Sequence, residues 1–321
     1  RTLPARTSFL LAFCRIFLIP NMSASSHLAG SMGVMCSADS ISEVERLMEA
    51  LVSDSNPSPL EPLDAVQAAL EHLASGGHRV RAGLGLDAGI RLGLSHCDAV
   101  VVGAAAELLH NASLVHDDLH DGAVLRRGKP TVFAACGADV AILTGDLLLS
   151  SAYAAIARFS RPAIIAEMIR LIHRRTAQVI HGQCGDLSAR KRPVTELARY
   201  EAIVARKSGA LLSLPLELAL LGAGVRDSFG LAQEAAESFG IGYQIIDDLE
   251  DAGSDGPLSL NILNVLRTGN TPAEAVSLAR EMGSRHLHSA VAAASGLPNG
   301  SGELLGKLAR VMSERLSPAG I

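Results

Sequence analysis

The sequence predicts an all-α protein that forms one large helical domain, and two observations support this prediction. Hydrophobic residues make up 48% of the 321 residues, whereas aromatic residues make up 3% and tryptophan is absent. A core of Leu, Ala, Val and Ile favours packed helices, because β-strands prefer aromatic and β-branched side chains. Apolar side chains also recur at helical spacing in several long runs, without an internal repeat or a linker between two cores.

The charge and cysteine content narrow the class of protein. The formal net charge is −5 and there is no basic stripe with interleaved aromatic residues, so we exclude nucleic acid as a partner. The cysteines form no C-x-x-C pair, and their odd number is typical of a reducing compartment. We therefore expect a cytoplasmic protein whose cysteines are buried as small apolar residues. The five cysteines are Cys14, Cys36, Cys97, Cys136 and Cys184.

Residues 1–38 differ from the rest of the chain, because they contain no Asp or Glu while Arg1, Arg6 and Arg15 interrupt apolar residues. We interpret this segment as an N-terminal extension, disordered or produced by upstream translation, and residues 39–321 as the helical domain. Targeting to an organelle is the alternative interpretation of the same composition. We expect no stable membrane span, since the apolar run is short and contains Arg15.

The first helices are predicted from their end signals. Ser40 and Glu43 form a capping-box pattern that predicts the start of a helix. The proline-rich stretch 56–62 should end it, because proline removes a backbone donor. A second helix is predicted over 63–73, ending at the Gly76-Gly77 pair, where glycine allows a left-handed backbone and close approach of a ligand.

A long apolar helix follows and ends in three carboxylates, Asp117, Asp118 and Asp121, before Gly122 terminates it. Asp117 and Asp121 lie one turn apart on one helix face. Such crowded carboxylates repel, and divalent cations remove that repulsion. Oxygen ligands favour Mg²⁺, which usually takes its remaining ligands from water and substrate phosphates.

Concentrated positive charge comes directly after this helix, in the segment R-R-G-K-P that contains Arg126 and Arg127. Guanidinium groups bind phosphate through two parallel hydrogen bonds. A carboxylate site next to two arginines therefore indicates a diphosphate held by metal on one side and by guanidiniums on the other.

A second carboxylate pattern occurs in the segment Y-Q-I-I-D-D-L-E-D. Gln244, Asp247, Asp248 and Asp251 follow the spacing i, i+3, i+4, i+7, which places all four on one helical face. One such pattern alone is more often a solvated helix face. Two copies, each at the end of an apolar helix, favour two acidic faces that hold one metal cluster between them.

With these motifs the chain resembles the trans-type polyprenyl diphosphate synthases, the family of farnesyl and geranylgeranyl diphosphate synthases. The resemblance covers about residues 60–266 and includes G-G-H-R-V-R, H-D-D-L-H-D with R-R-G-K-P-T, G-Q-C-G-D-L, K-S and Y-Q-I-I-D-D-L-E-D in the family's order. It implies a helical bundle of the isoprenoid synthase type with a central cavity, in a homodimer. It also implies a Mg²⁺-dependent prenyltransferase that joins isopentenyl diphosphate to an allylic diphosphate.

The resemblance assigns roles to single residues. Three Mg²⁺ ions would be held by the two aspartate sets and would stabilise the leaving diphosphate, with Arg126 and Lys207 assisting. The catalytic residues would be Asp117, Asp118, Asp121, Arg126, Lys207, Asp247 and Asp248, and the metal ligands Asp117, Asp118, Asp121, Asp247, Asp248 and Asp251. Substrate binding would fall to His78, Arg81, His110, Arg126, Arg127, Lys207, Ser208 and Gln244. Gln183 and Asp186 would order metal-bound water or Lys207.

Product length is predicted from the helix that precedes the first aspartates. Ser113, Ala112 and Leu109 lie four, five and eight residues before Asp117, where a growing hydrocarbon tail would descend. Family members that stop at fifteen carbons usually place a bulky side chain at one of the first two positions. Both residues are small here, so we predict a twenty-carbon product over a fifteen-carbon one.

Two departures from the family pattern keep alternatives open. His78 stands where the family has lysine, and no lysine follows Asp251 in the short segment after it. Each change removes a cation from a phosphate site, which motivates a non-catalytic paralogue that binds prenyl diphosphate or assists an active subunit. A terpene cyclase on the same fold is the third reading, although it would leave R-R-G-K-P-T and G-G-H-R-V-R unexplained.

The C-terminal part is predicted to be structural. Thr271 and Glu274 flank Pro272 in a pattern that starts a helix. A turn over 296–302 and a last amphipathic helix ending near Leu316 should complete the domain.

Overall fold

The computed structural model describes residues 38–54, 64–251 and 259–316. It confirms the all-α prediction, since helices account for nearly all regular structure and a short hairpin is the sheet within these ranges. The N-terminal extension, the 56–62 break and the segment after Asp251 fall wholly or largely outside the described residues.

The helices and strands follow one another in a simple order. The helices are α1 (Ala38–Ser53), α2 (Ala65–Ala74), α3 (Val80–Arg91), α4 (His96–Asp121), α5 (Val132–Cys136), α6 (Ala138–Ile156), α7 (Pro162–Ala189), α8 (Leu197–Val204), α9 (Ala210–Ala223), α10 (Phe229–Glu250), α11 (Ile262–Leu266), α12 (Pro272–Ser295) and α13 (Glu303–Arg315). Antiparallel strands β1 (Leu125–Arg126) and β2 (Lys129–Pro130) form the hairpin after α4, a π-helical turn (Ala205–Gly209) joins α8 to α9, and a 3₁₀ turn (Pro298–Gly300) precedes α13.

Helix α4 is the central element, and its sequence explains its length. Ser95 accepts a hydrogen bond from the backbone of Asp98 at the start, and Gly122 ends the helix with a left-handed φ of 61°. Between these caps the helix is apolar nearly all round, which is typical of a helix buried on every side. It packs against α3, α6 and α9, so most of its length lies inside the bundle and its last turn reaches the surface.

Helix α10, which carries the second carboxylate pattern, is held by α12 on one side and by α9 and the π-helical turn on the other. The large core joins most helices, while a smaller apolar cluster surrounds α11 and contains Tyr200 and Ile262. This smaller cluster fixes the C-terminal end of α10.

Some predicted helix ends are confirmed and two helix starts are wrong. Thr271 with Glu274 starts α12 as predicted, through a capping box, whereas α2 begins at Ala65 after its Asp64 cap, two residues later than predicted. The box predicted at Ser40 does not open a helix, because α1 begins at Ala38 and Ser40 lies inside its first turn. Acidic and hydroxyl side chains are common in a first turn as well as at the cap, so the pattern alone fixed the start two residues too late.

The described cysteines also correct an expectation. Cys97, Cys136 and Cys184 are exposed rather than buried. Alanine and leucine are the commonest residues of the helical core instead.

Two helices are long and apolar enough to cross a membrane by length and composition alone. The apolar window of α4 is 89% buried inside the protein, as expected for a core helix, and that of α6 is 50% buried. The other half of α6 exposes Ile142 and Leu143 on the surface.

Candidate active site

The end of α4 is bound to the following hairpin by a buried ion pair. Arg126 donates from Nε and Nη2 to the two carboxylate oxygens of Asp118, at 2.7 and 2.6 Å. Both side chains are almost inaccessible, at 4% and 1% exposure. Burial raises the pKa of Asp118, and the hydrogen bonds from Arg126 oppose that shift. Asp118 therefore fixes the arginine segment against α4.

Asp117 turns to the opposite side and meets a lysine from the π-helical turn. The Lys207 ammonium lies 3.3 Å from Asp117 and 2.7 Å from Asp186 of α7, while Gln183 donates to Asp117 at 2.8 Å. Burial raises the pKa of Asp117, but the charges of Lys207 and Arg126 lower it by more. The pKa of Asp117 therefore lies below its ordinary value. The pKa of Lys207 is raised, because Asp117 and Asp186 outweigh desolvation.

The third carboxylate, Asp121, has a cation of its own. Arg190, the residue after α7, donates from Nη2 to Asp121 and from Nη1 to the carbonyl of His120 at 3.3 Å. Each aspartate of the first motif is thus paired with a different cation, and α7 runs alongside the end of α4.

Asp117 and Asp121 fit a magnesium site by their donor chemistry. They lie one turn apart with 15% and 18% of their side chains exposed, and Mg²⁺ in proteins usually takes one or two carboxylates together with substrate phosphates. The cations already paired with both carboxylates show that positive charge is stabilised here. Asp118 faces Arg126 instead, so the geometry separates it from the other two.

A second group of cations lies beside the Gly76-Gly77 loop. Arg127 donates from Nη1 to the carbonyl of Gly76, and a Cβ on Gly77 would stand 2.7 Å from the Arg127 guanidinium. Gly77, at φ 136°, therefore has to be glycine both for its backbone and for this close approach. The loop holds Arg127 within electrostatic reach of His110, which Arg81, the second residue of α3, also reaches.

Two buried histidines, His110 and His72, lie beside these arginines and stay neutral at pH 7. Burial, followed by Arg81, Arg127 and Arg126, holds the pKa of His110 well below its ordinary value. Burial and the charges of Arg126 and Arg127 lower the pKa of His72 to about 3. Burial also lowers the pKa of Arg81 to about 10, so Arg81 stays charged at neutral pH. A surplus of buried positive charge is an anion-binding environment.

The second motif is held in a different way. Asp248, with 3% exposure, accepts hydrogen bonds at 2.7 Å from the Tyr200 hydroxyl, the Ile262 backbone N–H and the Gln244 amide. The pKa of Tyr200 is raised well above its ordinary value by burial and by Asp248, so Tyr200 remains a donor. Asp248 therefore ties α8 and α11 to the end of α10.

Asp247 lies next to these groups and is 6% exposed. Burial and the Asp247 carboxylate raise the pKa of Tyr243 well above its ordinary value, and Arg81 acts in the opposite direction. Arg81 is thus within electrostatic reach of the helix that carries the second motif. Within 38–54, 64–251 and 259–316, no three His, Cys, Asp or Glu side chains form a group that could hold a metal, so the shared six-aspartate cluster stays a prediction.

A cavity of about 450 Å³ lies below the first motif. Along α4 its wall runs from Asp117 through Ser113 and Ala112 to Leu109. Further lining residues are Arg81, His110, Leu114, His116, His120, Asp146, Leu149, Thr176, Val179, Ile180, Gln183, Cys184, Leu187, Lys207, Ser208 and Leu211. The described carboxylates of the second motif are not part of this wall. A mostly apolar shaft with charged groups at one end suits a ligand with a polar head and a hydrocarbon tail.

Comparison with known proteins agrees with this geometry. The family model for polyprenyl synthetase matches residues 64–257, more than half of the chain. The chain belongs to the polyprenyl synthetase family. A relative among curated proteins is the short chain isoprenyl diphosphate synthase of Methanothermobacter thermautotrophicus, 32% identical over 213 residues, which are 66% of this chain and 63% of that protein. The match thus spans somewhat less than two thirds of the relative's own length.

Solved structures of synthetases show the same fold. The geranylgeranyl pyrophosphate synthetase of Pyrococcus horikoshii Ot3 aligns with a TM-score of 0.75 and 25% identity, covering 86% of this chain and 96% of that one. The synthetase of the same printed name from Geoglobus acetivorans aligns with a TM-score of 0.75 and 27% identity, covering 86% and 99%. The predicted isoprenoid synthase fold is therefore confirmed.

Within this synthetase fold, most residues that the sequence singles out come together. Arg81, His110, Asp117, Lys207 and Ser208 line one cavity, and Arg126 with Arg127 stands beside it through Asp118 and the glycine loop. The expected contact between the G-Q-C-G-D-L segment and Lys207 is present through Asp186. His78 is half-buried in the loop before α3 and is not part of the cavity wall.

The sequence reasoning missed three residues of this synthetase site. Glu107 is a carboxylate inside an apolar run, which is a signal; it accepts a hydrogen bond from the Ala82 backbone at 3.1 Å and lies 3.8 Å from Arg79. Arg190 lies four residues after Asp186 on the same helical face, and that spacing was the available signal. Tyr200 gave no local signal, since its partner Asp248 is 48 residues away.

Proposed function

We propose that the protein is a prenyltransferase that condenses isopentenyl diphosphate with an allylic diphosphate and requires Mg²⁺. The observation that carries this proposal is the cavity: a mostly apolar shaft with Asp117 and Lys207 at one end and the Arg81–Arg127–His110 group beside them. Two separate sets of charged groups suit two diphosphates, and the shaft suits a growing hydrocarbon tail.

The residues divide between the two substrates. Arg81 and Arg127 would bind the diphosphate of isopentenyl diphosphate, with neutral His110 as a hydrogen-bonding partner. Asp117 and Asp121 would hold magnesium, which supplies positive charge to the allylic diphosphate as that group departs. Lys207 would add charge at the same place, and Gln183 would keep Asp117 oriented. Three ions would bind in all, with Asp247 and Asp251 of the second motif as further ligands.

Catalysis then needs no side-chain nucleophile. The allylic carbon–oxygen bond breaks, the double bond of isopentenyl diphosphate attacks the allylic cation, and a proton is lost to the departing diphosphate. The buried walls formed by Leu109, Leu114 and Leu211 exclude water from the cation.

We propose a twenty-carbon product over a fifteen-carbon one. Ser113 and Ala112 both line the cavity and are small, which leaves the first turn below Asp117 open. Leu109 lines the cavity one turn further on and is 3% exposed, so it is placed to limit the tail.

Incubation with Mg²⁺, farnesyl diphosphate and labelled isopentenyl diphosphate tests the activity. We expect a labelled prenyl diphosphate whose chain length is read by chromatography after dephosphorylation. No labelled product from dimethylallyl, geranyl or farnesyl diphosphate would reject the proposal. Release of hydrocarbon from farnesyl diphosphate alone would instead indicate a cyclase, for which the Arg81–Arg127 group has no use.

We also propose that the enzyme is a homodimer. Helix α6 exposes Ile142 at 46% and Leu143 at 58% on one face, and exposed apolar patches commonly mark protein–protein contacts. Light scattering during size-exclusion chromatography should give about twice the 33.4 kDa chain mass. Replacing Leu143 with Asp should shift the protein toward the monomer, and an unchanged mass would reject this face.

A further inference from the structure

We propose that Arg190 is an additional binding residue for the allylic diphosphate, held on Asp121 until a divalent cation takes that carboxylate. This inference rests on the proposed function and goes beyond it, because it assigns an anion-binding role to a residue outside the motifs that the family resemblance supplied.

The first observation that supports this role is the position of Arg190. Its guanidinium contacts Asp121, one turn after Asp117, and also the carbonyl of His120. Gln183 lies on α7, and Arg190, seven positions later, directly follows it; they contact Asp117 and Asp121, respectively. The C-terminal end of α7 therefore reaches both carboxylates that fit a magnesium site.

The second observation is that one donor of the Arg190 guanidinium is unused within the described ranges. A guanidinium has five N–H donors. Nη2 and Nη1 donate to Asp121 and to the His120 carbonyl, whereas Nε is buried and has no acceptor among the residues that the structure describes. A buried, unused donor beside a carboxylate is costly unless an acceptor arrives. The side chain is 27% exposed, so it can move toward an incoming anion without unpacking the helix.

The third observation is the balance between the aspartates of the first motif and the cations around them. The three aspartates of the first motif are matched by three cations, Arg126, Lys207 and Arg190. When a divalent cation occupies Asp117 and Asp121, Lys207 and Arg190 lose those partners and the site gains net positive charge. A diphosphate bound to the same cation supplies the compensating negative charge, within one turn of the released guanidinium. The family pattern has a lysine after the second motif that this chain lacks, and Arg190 would supply a cation to the same ligand.

Calorimetric titration with inorganic diphosphate tests the inference, in the presence of Mg²⁺ and, separately, of EDTA. The variant is Arg190→Gln, and Lys191→Gln is the matched control, because Lys191 is exposed, adjacent and of equal charge. We expect Arg190→Gln to weaken the magnesium-dependent binding of diphosphate roughly tenfold, and Lys191→Gln to change it less than twofold. Arg190→Lys should recover part of the loss.

A second titration, with Mg²⁺ alone, separates ligand binding from a structural role. Removing the competing guanidinium should leave Mg²⁺ affinity equal or higher. Loss of Mg²⁺ and diphosphate binding together, or diphosphate binding equal to that of Lys191→Gln, would overturn the inference. If wild type binds diphosphate with Mg²⁺ but forms no prenyl product, the proposed function fails and the Arg190 comparison still decides this inference. If wild type binds no diphosphate with Mg²⁺, both fail.

Discussion

The two carboxylate motifs look alike in sequence but are built differently. In each, the second aspartate of the pair turns inward and is buried: Asp118 accepts from the Arg126 guanidinium, and Asp248 accepts from Tyr200, Gln244 and the Ile262 backbone. Among the residues that the structure describes, the donors to Asp118 are charged and those to Asp248 are neutral. The same letters D-D therefore encode an ion pair at one helix end and a hydrogen-bonded anchor at the other.

The space below the two motifs also differs. One turn before Asp117 stands Ser113, which opens into the cavity. One turn before Asp247 stands Tyr243, which is 3% exposed and stacks on Phe239 with ring centroids 6.2 Å apart. We infer that α4 both binds the polar head and accommodates the tail, whereas α10 supplies charge above a filled core.

The largest effect is expected from removing a carboxylate of the first motif. Asp117→Asn takes one charge from the carboxylate pair that fits magnesium and leaves Lys207 without that partner. We expect kcat to fall by roughly 10²–10³, the usual cost of losing one electrostatic contact to a developing charge. Steady-state turnover with saturating Mg²⁺ measures it, with Asp139→Asn on the exposed start of α6 as the control.

If Asp117→Asn lowered kcat no more than Asp139→Asn does, the first motif would have no special role in turnover. If Asp247→Asn lowered kcat as much as Asp117→Asn does, both motifs would act on the same charge, although of these two aspartates only Asp117 lines the described cavity wall.

The inward aspartates should differ in stability rather than in activity. Asp118→Asn leaves the buried Arg126 guanidinium without a counter-charge, which should cost about 3 kcal/mol of unfolding free energy. Asp248→Asn should cost about 1 kcal/mol, because an amide oxygen still accepts from Tyr200 and Ile262, and Gln244 can flip its own amide. Urea unfolding at pH 7 measures both, and equal losses would show that the donors' charge does not matter.

The lowered pKa of His72 predicts that the unfolding free energy depends on pH. The pKa of His72 is about 3 in the folded protein, against a reference of 6.5. Between these values the unfolded chain binds a proton that the folded chain does not, so the unfolding free energy falls as pH decreases, by up to about 1.4 kcal/mol per pH unit. His72→Gln should reduce that slope between pH 7 and 5.

His288→Gln is the matched control for this effect, because His288 is exposed on α12. It should leave the slope of the urea unfolding free energy unchanged. His110 also has a lowered pKa, so part of the wild-type slope should persist in His72→Gln. If the slope of His72→Gln equals that of the wild type, burial and the charges of Arg126 and Arg127 do not lower the pKa of His72.

The sequence was sufficient for the fold class and for the local placement of several candidate site residues, for a physical reason. Carboxylates at i and i+4, arginine pairs and glycine pairs are local patterns, and they predicted the position of Asp117, Arg126 and Gly77 from neighbouring residues alone. The helix ends at Gly122 and Thr271 were equally local, since a cap is satisfied within four residues.

What could not be predicted depends on residues that are distant in the chain. Asp118 and Asp121 are equally acidic in the sequence, and only the packing of the hairpin and of α7 decides that one meets Arg126 and the other Arg190. Tyr200 reaches Asp248 because α8 and α10 pack against each other. Propensity and periodicity carry no information on such contacts, so all six aspartates of the two motifs were predicted to be metal ligands.

The smallest energetic effect, and the sharpest test of the space below the motifs, is a change in product length. Ser113→Phe places a ring in the cavity one turn below Asp117, where it would block the tail without touching the carboxylates. We expect a product one isoprene unit shorter with kcat lowered less than tenfold, read by chromatography of the dephosphorylated products. Ser113→Ala is the control: it removes the 2.7 Å hydrogen bond to the His110 carbonyl but adds no bulk, so it should leave the length unchanged. If Ser113→Phe also left it unchanged, the tail would follow another path, and the contrast between an open α4 and a filled α10 would lose its functional meaning.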